Sequence, residues 1–215
     1  MGLFKKYVSQ TRKPEGFLGK MMLSGMNSGH AKMADWGFSH LPAITPAAAV
    51  DLGCGGGRNA GELLKKYPKA KVTAIDYSEL SVAKAREYNR EMIAAGRCVV
   101  QQGDVSDLRL PEGSFDLATA FETIYFWPGL EACFTQVFRV LKPDGFFMIC
   151  NESDGTDATS LKFEQIIDGM KNYTPEQIEA ALRKAGFSEV SCDRHPSKPW
   201  ITVIAEKTCS EGSRG

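Results

Sequence analysis

The sequence predicts an α/β protein: a doubly wound, mostly parallel seven-stranded sheet that closes on an antiparallel hairpin, with a helical segment ahead of it. Three observations carry this. From Ala47 onward, short apolar runs alternate with stretches of helical spacing, the order of repeated βαβ units. The first run, Ala47 to Leu52, breaks into four glycines within five positions before the helical spacing of Glu62 to Lys66 begins, a strand–tight turn–helix junction. The last two runs, Phe187–Asp193 and Trp200–Glu206, are joined by Arg194-His195-Pro196-Ser197-Lys198-Pro199. Two prolines and no crossover helix make those strands an antiparallel pair.

Composition sets the bounds. At 215 residues the chain is one domain of ordinary size, and 43% hydrophobic with 24% charged residues is a globular balance. Lys plus Arg and Asp plus Glu are 26 each, with no basic block, which argues against a nucleic-acid partner. No apolar run approaches the ~20 residues of a membrane helix. Met1 to Lys6 lacks the apolar core of a signal peptide, so the expectation is a cytoplasmic protein without a membrane partner. The six cysteines are scattered without C-x-x-C or Cys/His ligand spacing. Cys98, Cys150 and Cys192 lie in strand-like runs and read as small buried hydrophobes. Reduced thiols are expected, and no metal site.

In chain order, residues 1–45 precede the first strand and form an N-terminal helical extension that is expected to act as a lid. Within it, Asn27 or Ser28 can cap a short helix carrying His30, Met33 and Trp36. His30 is a candidate for the substrate pocket; Met33, Trp36 and Phe38 read as packing. The glycine loop then turns the chain sharply and bares backbone N–H groups at a helix N-terminus, a nucleotide-type cofactor site. Asp51 at the strand end would repel a pyrophosphate and suits a cationic ligand such as an α-amino group or a sulfonium. Lys71–Asp76 is a second strand, and Asp76, about twenty residues past the glycines, can accept both ribose hydroxyls. Tyr77 follows, and Ser78 caps a helix predicted over Glu79–Ala95, which Gly96 ends.

Arg97–Gln102 is the third strand; Asp104 beyond it can accept from an exocyclic amine, and the Val105 N–H can face a ring nitrogen. Ser114–Phe121 is the fourth, running into the aromatic-rich Glu122-Thr123-Ile124-Tyr125-Phe126-Trp127 at the edge where open α/β sheets bind ligands. Phe134–Leu141 is helical, Lys142–Gly145 a turn, and Phe146–Cys150 a fifth strand that delivers Asn151 and Glu152 to the same edge. Ser153–Thr159 reads as a mobile polar loop. Thr174-Pro175-Glu176-Gln177 opens the last helix with a capping box, and that helix stops at Gly186. The segment 208–215 is expected to be disordered.

Asp-Leu-Gly-Cys-Gly-Gly-Gly (51–57), Ala74-Ile75-Asp76-Tyr77-Ser78, Gly103-Asp104-Val105, Ser114-Phe115-Asp116 and Leu141-Lys142-Pro143-Asp144-Gly145 resemble, in order and spacing, the motifs of the class I S-adenosylmethionine (SAM)-dependent methyltransferases. The wording is nearest the type 11-like small-molecule branch. The resemblance implies a Rossmann-like domain over 46–207 that binds SAM and releases S-adenosyl-L-homocysteine. It places Asp51, Gly53, Cys54, Gly55, Gly57 and Asn59 around the methionine moiety and ribose, and Asp76 with Tyr77 at the ribose. Asp104 and Val105 fall at the adenine and the Phe121 carbonyl near the amino group. The Asn/Asp-Pro-Pro-Tyr motif of amino-directed nucleic-acid and protein enzymes is absent, so the acceptor is expected to be a small molecule, O, N, S or C not resolved. His30, Glu122, Tyr125 and His195 are the candidate catalytic residues, with Trp127, Asn151, Glu152 and Tyr173 on the same edge. The alternatives are an NAD(P)-linked oxidoreductase, disfavoured by Asp51 and the hairpin, and a SAM-binding domain that is regulatory or non-methylating. Monomer and homodimer both remain open.

Overall fold

A computed structural model describes residues 30–208. Seven strands form one sheet: β1 (Ala48–Leu52), β2 (Lys71–Asp76), β3 (Cys98–Gln102), β4 (Phe115–Phe121), β5 (Leu141–Asn151), β6 (Glu189–Arg194) and β7 (Ile201–Lys207). Their order is β3-β2-β1-β4-β5-β7-β6. Neighbours from β3 through to β5 pair in parallel, whereas β7 runs antiparallel to both β5 and β6. The helices are α1 (Ala31–Phe38), α2 (Arg58–Lys66), α3 (Glu79–Tyr88), α4 (Arg90–Ala94), α5 (Leu130–Val140), α6 (Ala158–Ile166) and α7 (Pro175–Lys184). Strand order reverses between β1 and β4, and a crevice opens at their carboxyl ends, as it does in doubly wound sheets generally.

Alternation along the strands sends apolar side chains to both faces, so the sheet has two cores. One gathers Val50, Ala118, Phe147 and Ile149 against Phe134, Val137, Ile178 and Leu182 of α5 and α7. The other gathers Ala49, Leu117, Met148 and Cys150 against α1, α2 and α3. No described helix is long and apolar enough to cross a membrane. The described cysteines are free thiols.

The sequence reading and the structure differ at several places. Residues 1–29 and 209–215, and with them the caps proposed at Asn27 and Ser28, lie outside the described residues. His30 occupies the position just ahead of α1. That helix packs into the core: Met33 and Ala34 are buried, and a Cβ on Gly37 would stand 2.5 Å from Cys150 Sγ. The helix predicted over Glu79–Ala95 breaks at Asn89, whose buried amide donates to the Gly57 and Ala85 carbonyls. Lys142–Gly145 is no free turn but part of β5, accommodated by an irregular register against β4, with Asp144 at a φ of 60°. The polar stretch after β5 leads into α6, capped by Asp157, which accepts from the Ser160 N–H at 2.9 Å. Cys192 is exposed because β6 is an edge strand with most side chains in solvent.

Candidate active site

The glycine loop is shaped by what presses on it. The N–H groups of Gly53 and Cys54 both donate to the Ile75 carbonyl, at 2.8 and 2.9 Å, tying the end of β1 to β2. Gly53 has a φ of 71°, and a Cβ there would fall 2.0 Å from Thr123 Oγ1, so only glycine fits. Asp76 holds the loop from the other side: Oδ2 accepts from the Gly55 N–H and Oδ1 from the Ser78 N–H, both at 2.9 Å. Burial pushes its carboxyl above the usual range, against the opposing effect of those two bonds. These elements wall a cavity of about 310 Å³ whose lining also includes Asp104, Val105, Phe121 and Thr123.

Nine of the eleven residues expected at a cofactor reach this wall: Gly53, Cys54, Gly55, Asn59, Asp76, Tyr77, Asp104, Val105 and Phe121. Two do not. Gly57 is packed away, a Cβ there meeting Ala85 and Asn89 at 2.7 Å. Asp51 is buried off the wall, its Oδ1 accepting from Thr119 Oγ1 at 2.8 Å and its Oδ2 without a partner. Burial raises its carboxyl to about 7. A buried carboxyl behind the glycine loop is compatible with a ligand that brings positive charge to the crevice. Asp104 gives Oδ1 to the N–H and hydroxyl of Ser106, at 2.8 and 2.7 Å, while no described residue donates to Oδ2. Carboxylates at Asp76 and Asp104, beside a glycine loop whose lack of side chains allows close approach, would fit an adenosyl ligand.

A second cavity, about 390 Å³, adjoins the first; His30, Glu122 and Phe126 line both. At this junction β4 is followed by Glu122, a non-glycine residue at a φ of 55°. Such backbone costs roughly 1–3 kcal/mol and persists where surrounding contacts impose it. Here the Glu122 N–H donates to the Cys150 carbonyl, and its Oε1 accepts from Tyr125 Oη at 3.0 Å and from the Glu152 N–H. Its Oε2 lies 3.8 Å from His30 Nδ1, and Glu152 Oε1 lies 3.2 Å from the same nitrogen. Burial and the Glu152 charge raise Glu122 to about 7. Burial works against a charge on His30, but contact with Glu152 and the two carboxylate charges outweigh it, so its pKa rises. Burial, then the neighbouring Glu122, push the Tyr125 phenol well above its ordinary value, leaving it a donor.

His30, Glu122 and Tyr125 therefore come together, and Glu152 with them. His195 does not: it lines neither cavity, packing edge-on against Trp36 and Trp200 at 5.4 and 4.9 Å between ring centres. Trp200 does reach the second cavity. Trp127 is both core and wall, stacked on Phe147 while its edge lines the first cavity. Sequence reasoning missed Arg58 and Thr123 on the first wall and the whole contribution of α6 and its sequel, Phe163, Ile167 and Met170, to the second. The one signal for α6 was Asp157 three residues before Ser160, a capping pattern without a clear apolar stripe behind it.

Fold and site define an α/β domain that presents a nucleotide-type cavity joined to an acceptor-sized one. Residues 49–145 match the family model of a methyltransferase domain. A sterol 24-C-methyltransferase of Neurospora crassa is 27% identical over 169 residues, 73% of this chain and 44% of that protein. The malonyl-acyl-carrier-protein O-methyltransferase of Geobacter sulfurreducens is 28% identical over 172 residues, 73% of this chain and 63% of that protein. A chain from the complex between the Haloferax volcanii Trm112 methyltransferase activator and a methyltransferase superposes with a TM-score of 0.80 at 18% identity, over 97% of this chain and 99% of that one. At that identity the likeness is one of fold. The chain spans less than half the length of the sterol methyltransferases it matches. Residues 49–145 are thus a methyltransferase domain, and the family match, the relatives and the fold together support a class I SAM-dependent methyltransferase.

Proposed function

We propose that the protein transfers a methyl group from SAM to a small-molecule acceptor. One observation carries the reading: the cavity of the glycine loop and the aromatic-lined cavity meet at a single junction, where a histidine stands between two carboxylates. When bound, SAM supplies an electrophilic methyl group, and S-adenosyl-L-homocysteine is what remains. Gly53, Gly55 and Asn59 would hold its amino-acid end, Asp76 the ribose hydroxyls, and Asp104 with the Val105 N–H the adenine. Asp51, buried off the wall, contributes negative charge at a distance rather than a contact.

The chain's own residues then have three tasks. The second cavity holds the acceptor beside the junction, and alignment of this kind can lower a barrier by up to ~7–11 kcal/mol. His30 accepts the acceptor's proton, a role typically worth ~10²–10⁴-fold. Its Nδ1 faces Glu152 and Glu122, which stabilise the imidazolium, while Tyr125 and the Glu152 N–H fix Glu122 through its other oxygen. The free thiols suit a reducing compartment, and we place the protein in the cytoplasm on that ground. Incubating the protein with SAM and a metabolite panel tests the function. A product heavier by one CH₂ with equimolar S-adenosyl-L-homocysteine is expected; tighter binding of NAD(H) than of either adenosyl ligand in calorimetry overturns the reading.

A further inference from the structure

The second cavity carries its own chemical signature. Its polar rim holds Glu122, Glu152 and Asp157, and among the described residues neither lysine nor arginine lines it. Two basic residues of the hairpin already have partners: Lys198 sits over the Trp200 ring, 3.8 Å from its centre, and Arg194 pairs with Asp154 and Glu176. The floor is apolar and aromatic, made by Phe126, Phe163, Ile167, Met170 and Trp200. At the junction His30 Nδ1 is buried, and no aligned hydrogen bond satisfies it. Within this part-buried space an anionic acceptor would meet like charge, which is costly, and a neutral hydroxyl would leave His30 alone to balance two carboxyl groups. A cation would be favoured by the carboxylates and by the faces of the aromatic rings.

Resting on the methyl-transfer reading, we infer that the acceptor is an organic amine with an apolar body, its nitrogen seated between Glu152, Glu122 and His30. The amine enters as ammonium, which the two carboxylates recognise. It passes one proton to the imidazole and is left with a lone pair directed at the first cavity, while His30 becomes imidazolium between the same two carboxylates. One arrangement thus binds the charged form and unmasks the nucleophilic one. The donor atoms of His30, Glu122 and Glu152 lie within 4.8 Å of one another, which would also suit a divalent cation. The organic cation is favoured because Glu122 Oε1 is already taken by two donors and the floor beyond is made by Phe126, Phe163, Ile167, Met170 and Trp200, which offer a metal ion no ligand of the oxygen kind it prefers.

The test uses the full chain and binding rather than turnover. Calorimetry with S-adenosyl-L-homocysteine present compares three ligand series of matched shape: aryl- and alkylethylamines, the corresponding alcohols and the corresponding carboxylates. Amines are expected to bind at least tenfold tighter than their alcohols, with no detectable binding of the carboxylates. Glu152→Gln, at a half-exposed site where folding is checked by circular dichroism, is expected to remove that preference while changing S-adenosyl-L-homocysteine affinity less than about twofold. Equal binding of alcohols and amines, preference for carboxylates, or a preference that survives in Glu152→Gln overturns the proposal. So does a site that stabilises the protein with Mn²⁺ alone and takes amines only when Mn²⁺ is present. Loss of adenosyl-ligand binding in the parent protein would instead sink the methyl-transfer reading, and the two failures are read separately.

Discussion

The two cavities are built in opposite ways. The first is walled by strand ends and the turns that follow them: Asp76 ties the Gly55 N–H of the glycine loop to the Ser78 N–H beyond β2, and Gly53 is pressed against Thr123. The second is closed by α6, which buries none of its own residues, and by the tip of a hairpin whose outer strand is largely exposed. One site is fixed by the sheet; the other is roofed by elements that carry little of the core. The sheet-made cavity is therefore suited to an invariant cofactor, and the roofed one to the variable partner in the reaction.

The sharpest way to break this division is at the junction. His30→Ala is expected to lower turnover by ~10²–10⁴-fold, the scale of a lost general base, with SAM affinity within threefold of the parent. A steady-state kcat measurement beside calorimetry decides; a variant that loses both equally would mean that His30 belongs to the cofactor wall. Removing residues 1–39 is a poorer probe of the same point, because Met33, Ala34 and Phe38 are part of the core and would go with it.

Within the first cavity, Asp76→Ala is expected to weaken SAM by ~1–3 kcal/mol, the scale of hydrogen bonds to a charged group. Because its two oxygens already hold the Gly55 and Ser78 N–H groups, loss of the carboxylate also loosens the loop that the ligand rests on. Unchanged affinity would reduce Asp76 to a strand-closing residue.

How much of each cavity could be read in the sequence follows from the same contrast. Gly53, Gly55, Asp76, Asp104 and the Thr174–Gln177 capping box are local devices, dictated by backbone geometry within a few residues; the first four line the first cavity and the capping box forms as the sequence reading puts it. Asp51 shows the limit: its residue type marks a charge near the crevice, but whether the side chain faces the ligand or the core depends on Thr119 in the neighbouring strand. The second cavity is assembled from segments more than a hundred residues apart, His30, Phe163 and Trp200 among them, each with only weak local pattern. His195 illustrates the cost: five residues before Trp200 in the same hairpin, it turns to Trp36 instead of the cavity.

A smaller effect separates the cavities by pH. Asp51 and Glu122 both titrate near 7 in the fold, above their unfolded values of 3.8 and 4.5, so the native state holds protons that the unfolded chain has released. Stability is then expected to fall as pH rises from about 4.5 to 7, and His30, whose pKa is also raised, adds to the loss above 6.5. Asp51→Asn is expected to raise Tm at pH 8, by roughly 2–4 °C for each kcal/mol recovered, and to change it little at pH 4. Scanning calorimetry at both values checks this; an equal gain at each would remove the buried charge as the cause.

The mildest test asks whether α6 is as lightly tied as its burial indicates. Phe163 is only part-buried, and the helix is capped by Asp157, whose other oxygen accepts from Ser153 Oγ at 2.6 Å. Phe163→Ala is therefore expected to cost no more than about 1 kcal/mol of stability, well below the ~3–5 kcal/mol of a fully buried phenylalanine. Amide hydrogen exchange in α6 is expected to outpace that in α2, which buries Leu63 and Leu64 under the glycine loop. The same substitution is expected to raise the acceptor KM several-fold while SAM affinity stays unchanged, because Phe163 lines only the second cavity. Exchange in α6 as slow as in α2 would mean that the roof is part of the rigid frame, and that the two cavities differ in what they hold but not in how they are held.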